Sequence, residues 1–587
     1  MNSSVDQKLA LLRDQMKKAN VDAYIVSGND PHSSEYVAPY YQSRIYLSQF
    51  SGSAGSIVVT KDKALLWVDS RYYIQGAKEI EGSEFILMKL GSDGVLDPNK
   101  WLAKELKGKK VGINGNITPL NDYNLMTKAF EQSEIEIVDV KDLFEDIWEN
   151  RPDIPNNKIK VLEDRIAGLS AIEKIGKIRE ELKVRDANKT IISSLDDIAW
   201  TLNLRGDDVK HNRLFFSYLV LSLERVDLFV YDLSIKDQLD NVINVHPYSS
   251  FFDFIKKEIN EKDTIYYSPA KTTVALKNSI NSKAKLIEGV DITTHLKAAK
   301  NQKEIDGMRK AHLYDGIAVI KLLAHLENSN EQFSELSIAD KLEEFRKESP
   351  DYLENSFSPI AGFKEHGALA HYSATDQSSY DLVGDGLLVL DSGGQYKSGT
   401  TDITRTLLFG QPTDQMKIDY TLVLKGNLAL TNQQFPKGTY GYQLDILARQ
   451  YLWQMGLNYG HGTGHGVGFC LNVHEGPQNI SPRAVEEPLV EGMVLSNEPG
   501  LYKEGRYGIR LENLIVVQKS ESGEFGDFYQ FEVLTIAPFE RKLIDKSLLT
   551  DGEIAMVDNY HSWVYSLVKD LVDNDVKKWL EEATSKL

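Results

Sequence analysis

The chain carries an internal repeat, and this constrains its fold more than any other feature. Residues 12–27 read LRDQMKKANVDAYIVS and residues 178–193 read IREELKVRDANKTIIS. Each is a short amphipathic helix pattern leading into a compact apolar strand, Tyr24-Ile25-Val26 in one and Thr190-Ile191-Ile192 in the other. Ser43 to Leu47 has its counterpart in Asp197 to Thr201, and SIVVTKDKALLWVD (56–69) matches YLVLSLERVDLFVYD (218–232), a strand, a charged turn and a strand. The pattern returns after about 165 residues, too long a period for a solenoid, so it predicts two duplicated α/β domains rather than an array. The stretch Glu149 to Asn157, rich in Pro and Asn, reads as the linker between them. Beyond residue 296 the texture changes. Gln302 to Leu326 is a long helical pattern, and from Gly386 short strands broken by glycine follow. Asp551 to Leu587 is helical again, with Trp563 and Trp579 at helix-like spacings. The division expected is 1–152, 153–296 and 297–587, with residues 540–587 as a helical extension of the last domain.

Composition narrows the function classes. Apolar residues make up 42% and charged residues 26% of the 587, an ordinary globular balance able to fill several cores. The 86 acidic against 67 basic residues give a formal charge of −19, which disfavours nucleic acid and anionic membrane surfaces as partners. The single cysteine, Cys470, allows no intrachain disulfide and suits a reducing compartment. The opening residues, Met1 to Lys8, lack the basic and apolar regions of a signal peptide, and no apolar run reaches the ~18 residues of a membrane span. A cytoplasmic location is expected.

Chemistry concentrates in the third domain. Leu387-Leu388-Val389-Leu390-Asp391 is an apolar strand that delivers a carboxylate at its end. After the turn Lys397-Ser398-Gly399-Thr400, a second strand is expected to carry Asp402. A hairpin of this kind brings Asp391 and Asp402 together, and two carboxylates in an apolar setting repel unless a cation or proton lies between them; local capping of each Asp is the alternative. Tyr459 to Gly468 holds five glycines in ten residues around His461 and His465, a loop or strand passing close to something, with the histidines as ligands, substrate contacts or turn residues. It is neither a phosphate-binding loop nor a zincin helix. Glu498 ends a short strand at Pro499-Gly500, and Glu512 sits in Ile-Arg-Leu-Glu-Asn-Leu-Ile-Val, expected as a continuous apolar strand in which an unpaired acid is hard to explain by packing. Four carboxylates and His465 balance two divalent cations. Oxygen-rich ligation with one imidazole favours Mn²⁺, with Co²⁺, Zn²⁺ and Fe²⁺ also compatible. Two such ions ~3.5–4 Å apart share a bridging hydroxide and polarise a carbonyl, as in some aminopeptidases.

Asp391, Asp402, His465, Glu498 and Glu512, in this order, resemble the metal set of the pita-bread (creatinase/methionine aminopeptidase) metallopeptidases, and within them the three-domain Xaa-Pro aminopeptidase branch. The resemblance runs through SEYVAPYYQSR (34–44), FSGSAGS (50–56), WVDSRYYIQGA (67–77), DIAWTLNLRGDD (197–208), FFSY (215–218) and GMRKAH (307–312). It continues through HY (371–372), DSGGQY, TTDITRT, HGTGHGVG, LNVHEGP (471–477), NEPG and GIRLEN. It implies two creatinase-N-like α/β domains before a pita-bread catalytic domain. It also implies that Asp391 binds one metal, Asp402 and Glu512 bridge both, and His465 and Glu498 hold the second. His371, His461 and His474 take substrate and catalytic roles by the same resemblance, His371 in proton transfer and His474 at the scissile carbonyl oxygen. The resemblance also makes Arg71 the expected substrate contact from outside the catalytic domain. The expected reaction is hydrolysis of the bond before a penultimate proline, with Glu498 as ligand, base or both. The alternatives are a prolidase, a metal-free creatinase-like enzyme and a peptidase-like fold kept only as a non-catalytic binding module; the intact ligand set speaks against the last two. Homodimerisation is implied for the catalytic domain, against simple packing of the Trp-bearing tail on its own domain.

Overall fold

The structure, a computed structural model, describes residues 4–587. Met1, Asn2 and Ser3, part of the stretch read for a leader signal, lie outside the described residues. The chain divides into two compact units. One comprises the chain to Glu163, Leu169–Lys210 and Leu214–Thr293; the other comprises Asp164–Gly168, His211–Arg213 and Thr294–Leu587.

The first unit contains the repeat as two six-stranded mixed sheets of identical topology. One has the order 85–89, 64–68, 56–60, 23–26, 110–113, 136–139; the other has 243–247, 226–230, 217–222, 189–192, 264–267, 285–288. In each, the first strand of the copy runs antiparallel to one neighbour and parallel to the other. The leading helices correspond residue by residue. Val5–Lys18 is capped by Ser4 in a capping box with Gln7, and Ala171–Val184 by Ser170 with Glu173. Leu9, Leu12 and Met16 are buried in one, and Ile175, Ile178 and Leu182 in the other, the same helical spacing. Even a buried lysine recurs at the same helical position: Lys8 Nζ donates to Tyr46 O at 2.8 Å and Lys174 Nζ to Trp200 O at 2.9 Å. Strand side chains alternate between two cores. Ile57 and Val59 face the helix Val5–Lys18, whereas Val58, Leu65 and Trp67 meet Trp101 and Phe130 on the opposite face.

The second unit is built on two sheets backed by helices. A three-stranded antiparallel sheet places Gly386–Ser392 between Ile360–Phe363 and Ile403–Phe409, with Asp391 opposite Ile360 and Thr404. Leu388, Leu390, Ile403 and Leu407 of this sheet pack on Val319 and Leu322 of helix Gln302–Asn328 and Leu342 of helix Glu335–Lys347. A six-stranded sheet runs 435–436, 528–533, 513–519, 494–497, 464–466, 475–480. Its Leu495, Ile515 and Val517 pack on Leu430 and Ala448 of helices Asp414–Thr431 and Gly441–Gln454. These two helices correct the expectation of short strands alone between Gly386 and the helical tail at Asp551. Asp414–Thr431 is buried all round from Asp419 to Leu428, so it lacks the polar face that marks a helix in sequence. The tail forms helices Asp551–Val568 and Asn574–Ala583, and Trp563 and Trp579 pack with Ile320, Val564 and Leu580 of the same unit. Among the described residues, no helix is long and apolar enough to cross a membrane.

Candidate metal centre

Asp391 stands at the end of its strand, and Asp402 immediately precedes the returning strand Ile403–Phe409 rather than lying within it. The residues between them form a smaller hairpin, Gly394–Tyr396 against Gly399–Thr400, which joins Tyr352–Asn355. Gly393 makes that departure tight: an added β-carbon would sit 2.0 Å from Thr401 O.

Glu498 follows strand Val494–Asn497, as its sequence suggests. Glu512 does not lie in a continuous strand. Tyr507–Arg510 pairs with Gly500–Lys503, whereas Asn513–Lys519 pairs with Val494–Asn497, so the chain changes partner at Leu511-Glu512. Pro499 O accepts Leu511 N at 3.2 Å and Thr404 O accepts Glu512 N at 3.1 Å, which closes the base of the hairpin and leaves one glutamate at each foot. Asn427 braces both feet from behind, its Nδ2 donating to Asn497 O at 2.9 Å and Leu511 O at 3.1 Å.

His465 lies on the short strand Gly464–Gly466 beside Val494–Asn497. Its Nδ1 faces Gly466 O at 2.8 Å and so carries the hydrogen, which turns the Nε2 lone pair toward Asp402 Oδ2 at 3.4 Å and Glu498 Oε1 at 3.6 Å. A backbone carbonyl fixing the far nitrogen is the usual support for a ligating imidazole. Ligand atoms of Asp402, His465 and Glu512 all lie within 4.8 Å of one another.

The electrostatics are those of a cluster of acids that shares one guanidinium, Arg510. Asp391, Asp402 and Glu512 are buried, and Asp391 Oδ1, Asp402 Oδ1 and Glu512 Oε1 have no hydrogen-bond donor. Burial, reinforced by Asp402, Glu498 and Asp391, drives the Glu512 carboxyl well above the usual carboxylate range. Burial and Asp402 raise Asp391 against the pull of Arg510. Glu498 is pushed up to about 7 by desolvation, with Asp402 and Asp391 adding and His465 and Arg510 opposing. Orphaned carboxylate oxygens beside a correctly tautomerised imidazole fit divalent cations and suit nothing the protein itself supplies.

Sequence reasoning missed the supports. Arg510 donates to Asp391 Oδ2 at 2.6 Å, to Thr404 Oγ1 at 3.2 Å and to Tyr502 Oη at 2.7 Å. Tyr502 in turn meets His461 Nε2 at 2.8 Å, and His461 Nδ1 faces Gly462 O at 2.7 Å. Thr404 Oγ1 donates to Glu512 Oε2 at 2.9 Å. The signal for Arg510 was its place in GIRLEN, a cation two residues from an acid in an apolar run. The His474 ring stands edge-on to His465, centroids 4.3 Å apart. His371 is half-buried in a segment without regular structure that follows strand Ile360–Phe363. Arg71 lies in the first unit on the turn Ser70–Tyr72, where Asp69 holds its guanidinium at 2.8 and 2.7 Å.

Comparison with known proteins covers nearly the whole chain. Residues 8–147 and 150–304 each match a creatinase/prolidase N-terminal domain, residues 306–519 match metallopeptidase family M24, and residues 527–587 match the C-terminal region of peptidase M24. The chain is 40% identical to Xaa-Pro aminopeptidase 1 of Dictyostelium discoideum over 97% of this chain and 94% of that one. It is 39% identical to a probable Xaa-Pro aminopeptidase P of Sordaria macrospora over the full length of both. Among solved structures, the X-prolyl aminopeptidase of Caenorhabditis elegans, described as a cytosolic enzyme with a di-nuclear active site, superposes with a TM-score of 0.94 at 32% identity, covering 100% of both chains. The prolidase of Pyrococcus horikoshii matches 63% of this chain, and all of its own, at 25% identity and a TM-score of 0.51. The fold is therefore two creatinase-type α/β domains before a pita-bread domain, and the chain belongs to the Xaa-Pro aminopeptidases of metallopeptidase family M24.

Proposed function

We propose that this protein removes the N-terminal residue from peptides with proline in the second position, using two divalent cations held by Asp391, Asp402, His465, Glu498 and Glu512. The observation that carries the reading is the cluster of buried carboxylates with orphaned oxygens, in a chain matching Xaa-Pro aminopeptidases along its length. Manganese is the favoured ion, because four carboxylates and one imidazole form an oxygen-rich set. When bound, the two cations supply a Lewis acid for the scissile carbonyl and a water of lowered pKa.

The protein's own residues carry the rest. Glu498, half-buried and hydrogen-bonded by Ser496 Oγ at 3.1 Å, takes a proton as water adds to the carbonyl carbon. The C–N bond then breaks, and the proline nitrogen, which has no hydrogen of its own in the peptide, receives a proton by way of His371. His474 donates to the carbonyl oxygen as negative charge develops there. His461 contacts the substrate, its ring fixed by Tyr502 and its backbone by Arg449, which donates to His461 O at 2.7 Å. Arg510 orients Asp391 and favours its charged form against burial, so that its other oxygen is turned toward a cation.

A cytoplasmic location is proposed because the Caenorhabditis elegans relative is a cytosolic enzyme and the chain has one cysteine. The family resemblance supports a homodimer through the catalytic domain. The test is kinetic: metal-stripped protein re-dosed with Mn²⁺ is offered Arg-Pro-Pro and Ala-Pro. Manganese-dependent release of arginine from the tripeptide, with little action on the dipeptide, is expected. Cleavage of the dipeptide alone makes the protein a prolidase, and no cleavage of either overturns the reading.

A further inference from the structure

Glu335 is the first residue of helix Glu335–Lys347, directly after the cap Ser334. An acid there ordinarily stays in solvent beside the helix N-terminus. This one has a side chain with 0% exposure. Its Oε1 accepts Phe363 N at 2.7 Å and His366 Nδ1 at 2.9 Å; its Oε2 accepts Tyr372 Oη and Tyr380 N, each at 2.9 Å. A carboxylate offers about four lone-pair sites, so this set of donors fills it. All four donors come from one segment and bracket His371, two before it and two after it.

The segment depends on this carboxylate. After the short turn Lys364–Ala368, residues 369–380 contain no helix or strand. Glu335 holds both flanks, and its own N donates to Tyr380 O at 3.0 Å. The His366 ring is stacked between Tyr372 (centroids 4.4 Å) and Tyr380 (3.9 Å). The segment leaves a strand whose Ile360 lies opposite Asp391, and its turn presses on the glutamate hairpin, since a β-carbon on Gly508 would sit 1.7 Å from Gly367 O. Burial of an ionised carboxylate is tolerable only with its donors in place, so ordering of the segment and satisfaction of Glu335 are one event.

We propose that Glu335 is a positioning residue that holds the segment carrying His371 in register with the metal centre. This rests on the reading that His371 acts on the substrate. The test is a double-mutant cycle with Arg-Pro-Pro at saturating Mn²⁺, comparing wild type, Glu335→Gln, His371→Gln and the double variant, with metal content and thermal melting recorded for each. Glu335→Gln is expected to lower kcat about 10- to 100-fold, the size of effect that ångström-scale misplacement produces, with metal content unchanged. In the His371→Gln background the same substitution is expected to cost nothing further. A full multiplicative loss in the double variant overturns the proposal, as does wild-type kcat in Glu335→Gln. Wild-type kcat in His371→Gln instead overturns the role of His371. If Glu335→Gln does not fold, Tyr372→Phe, which removes one donor only, decides: a smaller kcat loss that vanishes in the His371→Gln background supports the proposal, and wild-type kcat overturns it.

Discussion

Two clusters of buried charge lie back to back on one strand of the catalytic unit. On one face, Ser392 joins Arg346 and Asp315: Arg346 Nη2 donates to Ser392 Oγ at 3.1 Å and its Nε to Asp315 Oδ1 at 2.8 Å, with Tyr396 Oη adding a bond at 2.9 Å. On the other face, its neighbour Asp391 joins three more carboxylates and shares a single guanidinium, that of Arg510. Both clusters are buried, and successive residues of the strand point into them because side chains alternate. The first is neutralised from within and every Asp315 oxygen has a donor; the second leaves three carboxylate oxygens orphaned. A balanced buried pair is part of the scaffold, whereas an acid excess at the same depth fits the cations proposed above.

The contrast is broken most directly by Glu512→Gln. Turnover is expected to fall more than about 100-fold, beyond the range typical of residues that only support ligands. Yet the chelator-treated variant should melt no lower than chelator-treated wild type, since burial and neighbouring acids already disfavour a charge at this position and the amide carries none. Asp315→Ala should do the reverse, costing about 3–5 kcal/mol of stability by stranding Arg346. Urea titration with and without Mn²⁺ measures this; added metal should not recover the loss, and metal bound per folded molecule should stay at the wild-type value. The smallest effect is with pH. In metal-free protein Glu498 titrates near 7 rather than near 4.5. Between those values the folded state keeps a proton that the unfolded chain has released, so stability falls as pH rises through this window. Melting of chelated protein from pH 5 to pH 8 should show that decline, and Glu498→Gln should make it shallower, the raised Asp391 and Glu512 keeping the same sign of slope.

Much of the fold was legible because it is written twice. The capping serines, the apolar spacing of the leading helices and the paired strands recur in both copies, and local signals of this kind need no tertiary knowledge. The acids of the centre could be singled out because charge at an apolar strand end conflicts with burial. The bracing residues were not legible. Glu335 looks like an ordinary first-turn acid, and its partners lie 28 to 45 residues away. Asn427 is one polar residue in a helix buried all round, and it reaches residues 70 and 84 positions on. The break at Leu511-Glu512 was hidden for another reason. The run stays apolar on both sides of it, and only the change of pairing partner, which is a tertiary event, marks the join.

The glutamate hairpin has a consequence for how this architecture tolerates change. Glu498 and Glu512 lie outside its paired residues, and the bonds that fix its base, Leu511 N to Pro499 O and Glu512 N to Thr404 O, make no use of its tip. Glu504, Gly505 and Arg506 at the tip are exposed. Two-residue insertions at the tip preserve which side chains face inward, whereas single-residue insertions turn the outer part of the ribbon over. The tip is thus a length-variable handle, a place where a dye, an affinity tag or a surface anchor can be spliced in while the acids at its feet keep their spacing.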